Sequence, residues 1–207
     1  MNQKTSQPAA IVFDLGKVLV DFDYGIAASR IGAAGKMSLP EIQKYLSQSD
    51  LLIRYETGHI SRKEFYVEAS RVTGYAGTLE EFGKFFGGIF TEIPQMTALH
   101  TALRRKGFPT YIFSNTNDLA VEDIREKFPF FSNFDGYILS YEVRSMKPDP
   151  KIYEALEKMS GERGAKLLYI DDRAENIAAG AARGWQTILQ ESPEKTLAAV
   201  KQLGVLD

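Results

Sequence analysis

Near-continuous apolar runs recur along the chain at Ala10 to Asp14, Thr110 to Ser114, Tyr137 to Leu139, Leu167 to Asp171 and Thr187 to Leu189. Runs of this kind suit β-strands covered on both faces. Between them the apolar positions recur every three or four residues, as in Ala120, Ile124 and Phe128, or Ile152, Leu156 and Met159. That spacing predicts helices with one buried stripe. Strands alternating with such helices predict an α/β fold with a doubly wound parallel sheet, in which sites form at the carboxyl ends of the strands.

From Tyr24 to Pro94 the strand pattern disappears. The segment reads as helices broken by glycines and turns, with helices expected at Leu39 to Ser47, Ser61 to Val72 and Leu79 to Phe90. We therefore expect a core domain of residues 1–23 and 95–207 and an inserted helical cap domain of residues 24–94. The aromatic residues of this insertion, including Tyr24, Tyr45, Tyr55, Phe65, Tyr66, Phe82, Phe85 and Phe86, are read as packing. Arg104, Arg105 and Lys106 before Gly107 read as the basic last turn of a helix stopped by glycine.

Composition narrows the function classes. A chain of 207 residues with 44% hydrophobic and 25% charged residues has room for one domain carrying an insertion, with a sizeable core. Its net charge of -2 provides no basic field to attract nucleic acid or an acidic membrane surface. No cysteine is present, which excludes disulfides, thiolate zinc sites and cysteine nucleophiles, and His59 and His100 are the only imidazoles. The first apolar run is broken by Asp14 and Lys17, so it is neither a signal peptide nor a membrane span, and a cytoplasmic location is expected.

Four strand ends carry the polar residues of interest. The first apolar strand delivers Asp14 into a turn, where a carboxylate is costly unless it meets a cation or hydrogen-bond donors; it also reads as a plain turn cap. The second ends in Ser114 and Asn115 before a helix, a place that suits either an anion or an ordinary N-cap. Lys147 precedes a helix started by prolines, and a lone lysine in such a place is commonly solvated. Asp171 and Asp172 end the fourth strand, with Asn176 beyond them, and adjacent carboxylates on so apolar a strand ionise together only beside a cation. On one sheet edge, Asp14, Asp171 and Asp172 face a single ammonium, Lys147. The remaining negative charge calls for a divalent cation, and a donor set of oxygen alone points to Mg2+ before Zn2+.

The segments FDLGKVLVD, FSNTN, MKPDP and YIDDRAEN, in this order and with a helical insertion between the first two, resemble the four motifs of the haloacid dehalogenase superfamily. The resemblance spans essentially the whole chain. It is nearest to a phosphatase branch that includes an α-D-glucose-1-phosphate phosphatase and carries a cap segment similar to Tyr55 to Ser61. It implies a phosphatase that hydrolyses a small phosphorylated metabolite through an aspartyl phosphate on Asp14. Ser114, Asn115 and Lys147 would hold the phosphoryl oxygens. Mg2+ would be bound by Asp14, the Gly16 carbonyl and Asp172, with Asp171 as ligand or support and Asn176 orienting the acidic pair.

One position departs from the pattern. Most phosphatases of the superfamily carry a second Asp two residues after the nucleophile as general acid and base, and here that residue is Gly16. The proton would then come from the cap or its linker, where Tyr24, Asp21, Asp23, Arg54 and His59 are candidates, or the substrate would have an undemanding leaving group. Lys17, where many relatives have a small residue or Asn, is expected to face solvent. Two alternatives share the fold: a metal-independent 2-haloacid dehalogenase, and a pseudoenzyme that binds a phosphometabolite or a protein partner.

Overall fold

A computed structural model describes residues 7–32 and 37–206; residues 1–6 and 207 of the expected core, and 33–36 of the expected cap, lie outside the described residues. The chain enters through β1 (Ala10–Phe13), turns, and forms the short strand β2 (Val20–Phe22). Five helices follow: α1 (Tyr24–Gly32), α2 (Leu39–Gln48), α3 (Asp50–Glu56), α4 (Arg62–Thr73) and α5 (Leu79–Gly87). Strand β3 (Phe90–Glu92) then pairs antiparallel with β2. The remainder alternates α6 (Pro94–Arg105), β4 (Thr110–Ser114), α7 (Asp118–Lys127), β5 (Gly136–Leu139), α8 (Ser140–Val143), α9 (Pro150–Ser160), β6 (Leu167–Asp171), α10 (Ala174–Ala182), β7 (Gln186–Leu189) and α11 (Pro193–Gln202).

The five-stranded sheet runs β5-β4-β1-β6-β7, and every pair in it is parallel. Strand β1 lies between β4 and β6, with Phe13 opposite Ile112 on one side and Ile170 on the other. This order brings the carboxyl ends of β1, β4 and β6 side by side. Alternate residues serve opposite faces: Ile11, Phe13, Ile112 and Ile170 pack with α6, α7 and α11, while Val12, Phe113 and Tyr169 pack with Trp185 and α9.

The helices between β2 and β3 share their own apolar cluster, built from Ile31, Ile42, Leu52, Phe65, Phe82 and Phe86, and Leu119 of α7 joins it. The aromatics of this segment pack, as expected: Phe65 lies within 4.4 to 5.9 Å of Tyr55, Phe82 and Phe86, ring centre to ring centre. Helix caps explain the helix starts. Ser38, Ser61 and Thr78 each form a capping box with a glutamate three residues on.

Three expectations need correction. The β2–β3 ribbon was absent from the sequence pattern, and Phe90, placed in a helix, pairs instead with Phe22 after α5 stops at Gly87. Met159 is 52% exposed, so the stripe of α9 is Ile152, Tyr153 and Leu156. Phe128 caps the end of α7 rather than continuing it. The Arg104 segment behaves as expected, ending α6 before Gly107 at φ 90°.

Candidate active site

Lys147 is the centre of the site. Its side chain is 1% exposed, and its Nζ donates to the Phe113 carbonyl at 2.8 Å and to Asp171 Oδ2 at 2.6 Å, with Asp14 Oδ1 at 3.0 Å. The rings of Phe113 and Tyr169 flank the ammonium at 5.0 and 5.6 Å. This is no solvated lysine. Its backbone is held by Asn115, whose Oδ1 accepts from the Lys147 N–H at 2.7 Å and whose Nδ2 donates to the Lys147 carbonyl at 2.9 Å. A residue expected to hold phosphoryl oxygens thus also positions the lysine of another motif.

Asp14 follows β1, where its N–H donates to the Ile170 carbonyl at 2.9 Å and its Oδ1 accepts from the Leu15 N–H at 2.7 Å. Burial pushes its carboxyl up to about 7, Lys147 opposes this, and Asp171 adds to it. Asp171 is fully buried and well supplied with donors. Beyond Lys147 it accepts from the Tyr169 hydroxyl, from the Arg173 N–H at 2.8 Å and from Asn176 Nδ2 at 3.1 and 3.2 Å. Burial alone would raise Asp171, but Lys147, Tyr169 and the Arg173 amide outweigh it and hold the carboxyl below its ordinary range. Asp172 is half-buried, and burial and the Asp171 charge raise it. Asn176 therefore supports Asp171 alone, not both members of the acidic pair.

Asp14, Asp171 and Asp172 each offer an oxygen within 4.8 Å of the others. Three carboxylate oxygens with no nitrogen or sulfur donor fit a hard divalent cation. Ser114 is buried, and its hydroxyl makes one long bond, 3.4 Å, to the Asn115 carbonyl.

A cavity of about 70 Å³ opens beside these strand ends, lined by Leu15, Gly16, Phe22, Tyr24, Glu56, Ser114 and their neighbours. Of the five proton-donor candidates from the linker and cap, Tyr24 alone lines it. Asp21 pairs with Lys17, Asp23 accepts from the Gly25 N–H, Arg54 lies 3.6 Å from Glu68, and His59 Nδ1 meets Thr57 Oγ1 at 2.7 Å. Lys17 faces solvent as expected, with its ammonium on Asp21 and over the Phe22 ring. Sequence reasoning missed Glu56 as a residue of this cavity. The signal available was its place at the end of a short helix, five residues before the Ser61 cap.

Comparison with known proteins agrees with the fold. Residues 8–184 match the family described as haloacid dehalogenase-like hydrolase, and the chain belongs to that family. A D-ribitol-5-phosphate phosphatase of Bacteroides thetaiotaomicron is 29% identical over 191 residues, covering 88% of this chain and 91% of that protein. A HAD-like family hydrolase of Porphyromonas gingivalis superposes with a TM-score of 0.81 at 27% identity, over 98% of this chain and all of the other. A HAD family enzyme of Bacteroides thetaiotaomicron in complex with magnesium and inorganic phosphate superposes with a TM-score of 0.77 at 23% identity, over 88% and 93% of the two chains.

Proposed function

We propose that this hydrolase is a Mg2+-dependent phosphatase that acts on a small phosphorylated metabolite through an aspartyl phosphate on Asp14. The observation that carries this reading is the Lys147 ammonium held between Asp14 and Asp171 beside Asp172, at strand ends whose following residues Leu15, Gly16, Ser114 and Asn115 line a cavity. The Asp14 carboxylate attacks phosphorus. Lys147, the Ser114 hydroxyl and the Asn115 N–H hold the phosphoryl oxygens as charge develops on them. Asp14, the Gly16 carbonyl and Asp172 would hold the Mg2+, with Asp171 as ligand or support, and the ion supplies charge neutralisation for phosphate approaching carboxylates. Asp171, already engaged by four donors, serves chiefly to fix Lys147.

The ribitol phosphate phosphatase among its relatives supports a phosphomonoester of a small polyol or sugar as substrate. A screen for phosphate release from sugar phosphates, polyol phosphates, nucleotides and acyl phosphates with Mg2+, using Asp14→Asn as the blank, tests the reading. Release that depends on Mg2+ and on Asp14 supports it; release that survives Asp14→Asn contradicts it.

A further inference from the structure

We propose that Glu56, at the end of α3, is the general acid and base of this site, standing in for the side chain that position 16 lacks. The inference rests on the phosphatase reading above.

Among the described residues, Glu56 is the only carboxylate lining the cavity that Gly16, Ser114 and Asn115 also line, and Tyr24 is the only other titratable side chain there. In-line displacement puts the leaving oxygen on the far side of phosphorus from Asp14. A proton donor must therefore stand away from the Asp14 carboxylate, and the cavity beside the strand ends is walled there by Phe22, Tyr24, Glu56 and Phe90. Glu56 comes from the segment between β2 and β3, whereas Asp171 and Asp172 come from the sheet edge that carries Asp14.

Glu56 is also held firmly. The Glu56 carbonyl accepts from Ser140 Oγ at 2.5 Å, and the same hydroxyl receives the Thr116 N–H at 2.9 Å. Two residues on, Gly58 at φ 64° lies so close to the Tyr141 backbone that an added Cβ would stand 2.1 Å from its carbonyl oxygen. The preceding Tyr55 hydroxyl donates to Asp118 of α7. Glu56 thus belongs to the insertion by sequence, but α7 and α8 hold it in place.

Its carboxyl meets the Asn117 side chain from the start of α7 and the charge of Arg173 before α10, and its own charge acts on Tyr24 of α1. Burial outweighs the first two and raises the carboxyl to about 7, where one group serves as acid and as base near neutral pH. Burial, and then the Glu56 charge, raise the Tyr24 hydroxyl above its ordinary range, which makes it the poorer proton donor near neutral pH.

The two half-reactions balance. As the Asp14 oxygen bonds to phosphorus and the P–O bond to the alcohol breaks, protonated Glu56 gives its proton to the leaving oxygen and becomes a carboxylate. Water then enters where the alcohol left and gives a proton to Glu56 as its oxygen bonds to phosphorus. The Asp14–phosphorus bond breaks, releasing phosphate, and Glu56 is protonated again.

The test is the leaving-group dependence of kcat/KM for wild type and Glu56→Gln, measured with an alkyl phosphate and with p-nitrophenyl phosphate. Glu56→Gln should lower kcat/KM about 10²- to 10⁴-fold for the alkyl ester and less than about 10-fold for the aryl ester, whose leaving group needs little protonation. Formate added to Glu56→Ala should restore part of the alkyl activity. Equal losses on both esters, or no loss, overturn the proposal. If neither variant folds, a steep leaving-group dependence in the wild type overturns it and a shallow one supports it. Failure of the phosphatase reading looks different: no ester is hydrolysed, or Asp14→Asn stays active.

Discussion

Phe22 occupies the space that any side chain at position 16 would need: a Cβ added to Gly16 would lie 2.8 Å from Phe22 Cε1. The ring cannot swing aside freely, since Tyr24 and Phe90 pack on it edge-on at 5.7 and 6.2 Å. Restoring the usual acid by Gly16→Asp should therefore lower stability by about 1–3 kcal/mol and lower turnover, while adding Phe22→Ala should recover stability. Thermal unfolding and steady-state kinetics of the single and double variants check this. A Gly16→Asp protein of unchanged stability and higher turnover would contradict it.

Lys147 should be far more important to stability than Asp14. Removing the ammonium by Lys147→Met leaves Asp14 and Asp171 buried without their cation, which costs about 3–5 kcal/mol. Asp14→Asn leaves Lys147 paired with Asp171 and removes a repulsion, so without metal it should unfold at the same temperature as wild type or higher. Denaturant titrations of both variants in chelator give the comparison.

Mg2+ should stabilise the protein more at pH 8 than at pH 6. Burial raises Asp14 from 3.8 to about 7, against the pull of Lys147, so the folded form holds this proton more tightly than the unfolded chain. The stability it contributes is complete below about pH 4 and disappears as the pH rises through about 7. A cation at the carboxylates competes with that proton. The shift in Tm on adding Mg2+, measured at the two pH values and lost in Asp172→Asn, reports this directly; an equal shift at both would count against it.

The strand ends were legible because β1, β4 and β6 are apolar on both faces, so the polar residue that ends each strand stands out, and the sheet order sets the three ends side by side. The β2–β3 ribbon was not, because three-residue strands such as Phe90–Glu92 are too short to show a period. Glu56 was hidden for a different reason. Its role comes from contacts across the fold, with Ser140 lying 84 positions away, and a glutamate at a helix end looks locally like a solvated one. Asn115 was singled out, but the grip of its side chain on Lys147 spans 32 positions and follows only from the packing of β4 against the loop before α9.

The segment that carries Glu56 is latched to α7. Arg62 Nε donates to Asp118 Oδ2 at 2.7 Å and its Nη2 to Glu122 at 2.5 Å, beside the Tyr55 hydroxyl on the same Asp118. These groups are partly exposed, so Arg62→Ala should cost only about 0.5–1 kcal/mol. Its larger effect should be faster hydrogen exchange in α3 and α4 and a raised KM, because the cavity wall is less fixed. Unchanged exchange with unchanged KM would show that the latch does not serve the site.

Turnover through Asp14 requires a bond between its carboxylate and phosphorus. Enzyme mixed rapidly with radiolabelled substrate and Mg2+, quenched in acid, reduced with borohydride and mapped by peptide mass, should carry label in the quenched chain and a reduced side chain at position 14. Label at another residue, or full turnover by Asp14→Asn, would contradict the account.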